Sequence, residues 1–262
     1  MAHEPTPAPW IDVARIDGSS TTPLGVVGAA RVACATVPES TVPESTVPES
    51  TEDDLGLGVG PHPRPWPGDD RLDPALLAAG DRRNVVDRYR YWRTEAIVAD
   101  LDARRHPFHV AIENWAHDLN IGTVVRNANA FLAAGVHIVG RRRWNKRGAM
   151  VTDRYQHVVH HPSVDGLVAW ADGQGLPVVG IDNLPGAVAL EGTELPRRCV
   201  LVFGQEGPGL SAAAREAAVA VCSITQFGST RSINAGVASG IAMHAWIRQH
   251  VLADGVGPDA AT

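Results

Sequence analysis

At 262 residues the chain has room for one sizeable domain with extensions or for two small ones, and its 44% apolar content is ordinary for a globular protein. No apolar run approaches the roughly 20 residues that a membrane span needs, which argues against a membrane partner. The formal charge of −6 hides a split: residues 1–70 hold 11 acidic and 3 basic side chains, whereas residues 81–160 hold 14 basic and 8 acidic, so the second stretch has the local charge to meet a polyanion.

The three cysteines, Cys34, Cys199 and Cys222, have no paired spacing and fit a reducing compartment, as buried small side chains. The early run GVVGAARVACA carries Arg31 and has no basic stretch ahead of it, so it is not expected to be a secretory signal. A cytoplasmic protein is expected.

In chain order, TVPES occurs three times in tandem over residues 36–50. Proline in every unit excludes helix and ladder strand, and residues 1–75 are expected to be a disordered acidic tail. Over residues 76–107, Val85, Val86, Tyr89, Trp92, Ile97 and Leu101 recur at roughly helical spacing among arginines, with Pro107 as the stop. This predicts a basic helical extension, lying on nucleic acid or packed on its own domain.

From 108 to 251 short β-branched runs alternate with helical patterns. Strands are expected at 108–115, 136–140, 157–161, 176–182, 199–204 and 220–225. Helices are expected at 120–135, closed by Gly135, then after the third strand (VDGLVAWADGQ), at LSAAAREAA, and from Ser232 to about Val251. Residues 252–262 read as a flexible tail. The fold class is α/β, a parallel sheet with helices on both faces.

Ligands of such sheets gather beyond the carboxyl ends of the strands. The loop GQEGPG has glycines at 204, 207 and 209, which is not the dinucleotide fingerprint, and neither a P-loop nor G-x-S-x-G occurs. His157, His160 and His161 have no supporting cluster, and no metal is expected. What remains is a polar set at element boundaries: Asn120 and Arg126 on one helix, Glu206 in the glycine loop, Ser232 as an N-cap, and Asn234 after it. Each alone has a structural explanation; together they share one edge of the sheet.

The motifs NIGTVVRNANAF (120–131), VFGQEGPGLS (202–211) and ITQFGSTRSINAGVASGIA (224–242) resemble the three motifs of the SpoU/TrmH RNA ribose 2′-O-methyltransferases, of the SPOUT superfamily. The resemblance implies a methyltransferase domain over 108–251 with a C-terminal trefoil knot, an S-adenosylmethionine cofactor and a homodimer. By position, Gly204, Ile224 and Ile233 would meet the cofactor, with Gly209 and the strand end Ile181-Asp182-Asn183 adding to the pocket. Arg126 matches the motif-one arginine, acting as base or, more conservatively, as a phosphate clamp, with Asn120, Glu206, Ser232 and Asn234 orienting it and the nucleotide. The run RRRWNKR, with Arg141, Arg142, Arg143, Lys146 and Arg147, is placed to meet RNA phosphates.

Motif three departs from the family pattern: Thr225 and Gln226 stand where Pro-Met is common, which puts the cofactor loop in question. The absence of an ordered small α/β domain before residue 108 tilts the expected substrate toward tRNA over rRNA. The alternatives are an RNA-binding protein on the same scaffold that no longer catalyses, and an S-adenosylmethionine enzyme on another substrate.

Overall fold

The computed structural model describes residues 58–115 and 120–253. The TVPES repeats and nearly all of the expected C-terminal tail lie outside the described residues. Strands β1 (His106–Asn114), β2 (Ala133–Gly140), β3 (Val158–His161), β4 (Val178–Ile181), β5 (Val188–Ala189), β6 (Cys199–Phe203) and β7 (Ala220–Ser223) form one sheet, ordered β3-β2-β1-β6-β4-β7-β5. Every pairing in it is parallel.

A parallel sheet must be covered on both faces, and side chains alternate between them. Phe108, Val110 and Ile112 of β1 and Cys199, Leu201 and Phe203 of β6 join the core under helices α3 (Ile121–Ala130) and α6 (Ala235–Ile247). Ala111, Val200 and Val202 face the other way, under α4 (Val164–Gln174) and α5 (Ala212–Ala217). The α/β class and the helices on both faces are as expected. Cys199 and Cys222 are buried without disulfides, and burial pushes the Cys199 thiol up to about 12.

Four expectations need correction. Order begins before residue 75: Val59 pairs with Asp81, the Tyr91 hydroxyl donates to the Gly60 carbonyl, and α1 (Pro74–Ala79) opens on the Asp73 cap. The basic extension is not one helix. It is a 3-10 turn (Asp87–Tyr89) followed by α2 (Thr94–Asp102), because Tyr91 takes φ 64° and the fully buried Asp81 carboxylate accepts from both the Arg83 guanidinium and the Tyr91 N–H. Its apolar residues Tyr89, Ile97 and Leu101 pack with Tyr155 of the following domain.

Third, α3 stops at Ala130, not at Gly135; Leu132 turns the chain at φ 52°, and Gly135 sits inside β2 beside the His109 ring. Fourth, α6 starts at Ala235 and its cap is Asn234, whose side chain accepts from the Val237 N–H at 3.1 Å; Ser232 lies before the helix. The two-residue β5 carries no periodic signal and was not expected.

Candidate active site

A cavity of about 330 Å³ opens beyond the carboxyl ends of β4, β6 and β7, where this topology places ligand sites. Ile181, Phe203, Ile224 and Ile233 give it apolar walls, and the glycine loop 204–209 forms its rim. The loop folds on itself through paired backbone hydrogen bonds between Gln205 and Gly209 (3.2 and 3.0 Å). Gly204 is required here: a Cβ would collide with the backbone of Gly209 and Leu210. Gly207 and Gly209 take φ 89° and 71°, which other residues adopt only with strain.

All five residues expected to meet a cofactor, Gly204, Gly209, Ile224, Ile233 and Asp182, line this cavity, as do Glu206, Ser232 and Asn234. Asp182 also braces the loop: its Oδ2 accepts from the Leu210 N–H at 2.7 Å, and its Oδ1 from the Asn183 N–H at 2.7 Å.

Asn120 and Arg126 do not line it. Asn120, at the start of α3, is tied in through Asn234, whose Nδ2 donates to Asn120 Oδ1 and to Glu206 Oε1, each at 2.7 Å. One side-chain amide therefore joins the start of α3, the glycine loop and the start of α6. Arg126 lies on the exposed side of α3, and among the described residues none of the polar set bonds to it. Next to it Asn127 Nδ2 donates to the Gly236 carbonyl and to Ser239 Oγ, locking α3 against the small-residue face of α6. That face is taken up inside the chain.

The residues expected to meet RNA, Arg141, Arg142, Arg143, Lys146 and Arg147, are all exposed on the loop after β2. Lys146 pairs with Asp153 at 2.7 Å. The loop is shaped from beneath by Asn114, whose Nδ2 donates to the carbonyls of Arg141 (2.7 Å) and Arg143 (2.9 Å). It also abuts α3: a Cβ on Gly122 would meet Ala149 N at 2.7 Å and Gly148 Cα at 2.8 Å.

Sequence reasoning missed Asn114, Glu113 and Gln205. Glu113 is fully buried and accepts from the Ser211 N–H at 2.8 Å, fixing the start of α5, while Gln205 Oε1 accepts from the Trp115 N–H at 3.1 Å. The signal was present as the two polar residues that end the apolar run FHVAIENW, since buried polar groups are retained where they find partners.

The histidines near β3 diverge. His157 meets Asp102, His160 meets the Gly140 carbonyl, and His161 meets His137, each at 2.8 Å. His137 in turn meets His109 at 3.0 Å, a file of three rings against Trp170 in which His137 and His161 are buried and His109 is half-buried. Burial pushes His137 down to about 3 and His109 to about 4, so both are neutral in the folded protein near pH 7.

Residues 107–244 match the model of the SpoU rRNA Methylase family. An uncharacterized tRNA/rRNA methyltransferase of Mycobacterium sp. (strain KMS) is 34% identical over 171 residues, 63% of this chain and 54% of the relative. One from Mycobacterium leprae (strain TN) is 30% identical over 206 residues, 76% of this chain and 65% of the relative. The chain thus spans between half and two thirds of the length of these relatives. Among solved structures, the SpoU methyltransferase AviRb from Streptomyces viridochromogenes in complex with AdoMet superposes with a TM-score of 0.52 at 25% identity, over 58% of this chain and 61% of that one. The A. aeolicus TrmH/SpoU tRNA modifying enzyme, at 20% identity and a TM-score of 0.56 over 63% of this chain and 85% of that one, shares the fold. The chain belongs to the SpoU rRNA Methylase family.

Proposed function

We propose that the protein transfers a methyl group from S-adenosylmethionine to a ribose 2′-hydroxyl of tRNA or rRNA, tRNA being the first substrate to test. The observation that carries this reading is the convergence of motif two and motif three on one cavity, bridged to motif one by Asn234.

The cavity fits the cofactor. Its apolar walls and the close backbone at Gly204 suit a flat, bent ligand, and the carboxylates of Asp182 and Glu206 at its lining favour a sulfonium cation. When bound, S-adenosylmethionine supplies an already activated methyl, so the protein's task is placement and deprotonation of the attacking hydroxyl. Arg126 is the candidate for assisting the second: its exposed guanidinium, which does not deprotonate in proteins and so cannot take the proton, clamps the neighbouring phosphate and lowers the pKa of the hydroxyl, whose proton leaves to solvent water. Arg141, Arg142, Arg143, Lys146 and Arg147 form the adjoining cationic loop that would hold the RNA backbone.

A homodimer and a knotted C-terminal region belong to the same proposal. Supporting the first, Val237 and Ile241 stand exposed one turn apart on the outer side of α6. Supporting the second, β6 enters the sheet between β1 and β4, two strands laid down earlier in the chain. No helix among the described residues is long and apolar enough to cross a membrane, and a cytoplasmic location is proposed.

The test is incubation with methyl-labelled S-adenosylmethionine and undermodified tRNA or rRNA, with Arg126→Ala alongside. Label recovered as a 2′-O-methyl nucleotide in one fraction, and lost in the variant, is the expected outcome. Cofactor binding without transfer to any RNA would replace this reading with that of a non-catalytic RNA-binding protein.

A further inference from the structure

We infer that Glu191 is a positioning residue for the cofactor: it holds the cavity wall formed by Ile224 and Gln226 in place by gripping Thr225 from behind, and so sets the affinity for S-adenosylmethionine. This rests on the function proposed above.

Ile224 and Gln226 line the cavity, and Thr225 between them does not. Both donors of Thr225 go to one carboxylate, its N–H to Glu191 Oε1 at 3.0 Å and its hydroxyl to Glu191 Oε2 at 2.9 Å. The ladder has ended here, since β7 pairs with β4 only as far as Cys222 and with β5 only as far as Ser223, and at this exposed N–H Glu191 takes the place of a solvent water. Parallel pairing of Ala189 with Ser223 puts Glu191, two residues on, level with Thr225, also two residues on. That register is what the two-residue β5 provides.

The grip comes from a fixed base. Glu191 lies in a 3-10 turn (Leu190–Gly192) anchored by the buried Leu190. The next residues are held by Gln249, which donates to the Thr193 carbonyl at 2.9 Å and accepts from the Leu195 N–H at 2.8 Å. At the far end of the loop Asn183 Nδ2 donates to the Arg231 carbonyl at 2.8 Å. The loop is thereby pinned at both ends, with Phe227 at its tip 96% exposed. The Glu191 carboxyl is held below the usual carboxylate range by hydrogen bonds from its own N–H and from that of Thr225, so it grips as an anion at neutral pH.

A proline substituted for Thr225 would be the control for this grip. Proline has no N–H to satisfy and a fixed φ, so it would stiffen this wall without a partner. Thr225 leaves the wall looser, and Glu191 restores the constraint from outside.

The experiment measures binding of S-adenosylmethionine and S-adenosylhomocysteine by calorimetry, with steady-state kinetics on RNA and thermal melting of every variant. Glu191→Ala is expected to raise Kd and the cofactor KM five- to tenfold, and Glu191→Gln, which keeps an acceptor, about twofold. At saturating cofactor kcat, the RNA KM and Tm should stay near wild type. In a Thr225→Pro background Glu191→Ala should change Kd by less than about 1.5-fold. An unchanged Kd in Glu191→Ala, a loss just as large in the Thr225→Pro background, or a loss that tracks a fall in Tm and kcat would each overturn the inference. Failure of the wild type to bind either compound would instead overturn the function on which it rests.

Discussion

Every polar atom of the Asn234 side chain is committed, with Nδ2 donating to Asn120 and Glu206 and Oδ1 accepting from Val237. The two halves of that amide can be separated by mutation. Asn234→Asp keeps the helix cap but has no donor and sets a carboxylate against Glu206; we expect a Tm within about 2 °C of wild type and methyl transfer reduced at least tenfold. Asn234→Ala loses both, adding the roughly 1 kcal/mol that an N-cap supplies. The histidine file makes a second test at this scale. His137 and His109 are neutral in the fold down to about pH 3 and 4, whereas unfolded imidazoles titrate near 6.5. As pH falls through 6.5 the unfolded chain gains protons that the folded chain does not, so this contribution to stability is complete above 6.5 and is lost progressively below it. Urea midpoints measured from pH 7 to 5 should fall, and His137→Gln, though less stable at pH 7, should show a shallower fall.

Among elements, the seam between α3 and the cationic loop has no room for a single added methyl group. Gly122→Ala brings a Cβ against the backbone of Gly148 and Ala149, which cannot yield as a side chain would. A cost of about 1–3 kcal/mol is expected, read as a lower Tm. RNA affinity should drop while cofactor affinity holds, because the displaced loop carries Arg147 and not the cavity. The same elements show how far the sequence could be read. β1, β2, β4 and β6 were legible because they are apolar on both faces, and α4 because Ser163 and Gly175 cap it at each end. The site was legible as motifs, since glycines and polar residues at strand ends have few other reasons to be there. The extension at 76–107 was misread because its helical spacing is broken by an ion pair of the buried Asp81 with the half-buried Arg83, which no periodicity announces. β5 and Glu191 were invisible for a related reason: a two-residue strand has no period, and its value lies in register with a partner more than 30 residues away.

Across the molecule, the cavity exists only where β4, β6 and β7 are already side by side, so a ligand that fills it binds the folded state alone. At 100 times its Kd, S-adenosylmethionine should raise stability by about 2.7 kcal/mol, and the shift in Tm should grow with ligand concentration. A melting series against cofactor concentration checks this, and a Tm indifferent to ligand would mean that the cavity is not the binding site. The strand order carries one more consequence. β1 is made early but pairs with β6, some 90 residues later, so the centre of the sheet stays open until most of the chain has left the ribosome. Contacts of such long sequence separation are slow to form, because loop closure precedes any reward. Truncated chains ending before Cys199 should therefore accumulate as aggregation-prone intermediates with an unzipped β1 edge, and the growing polypeptide would be a client for chaperones over most of its synthesis.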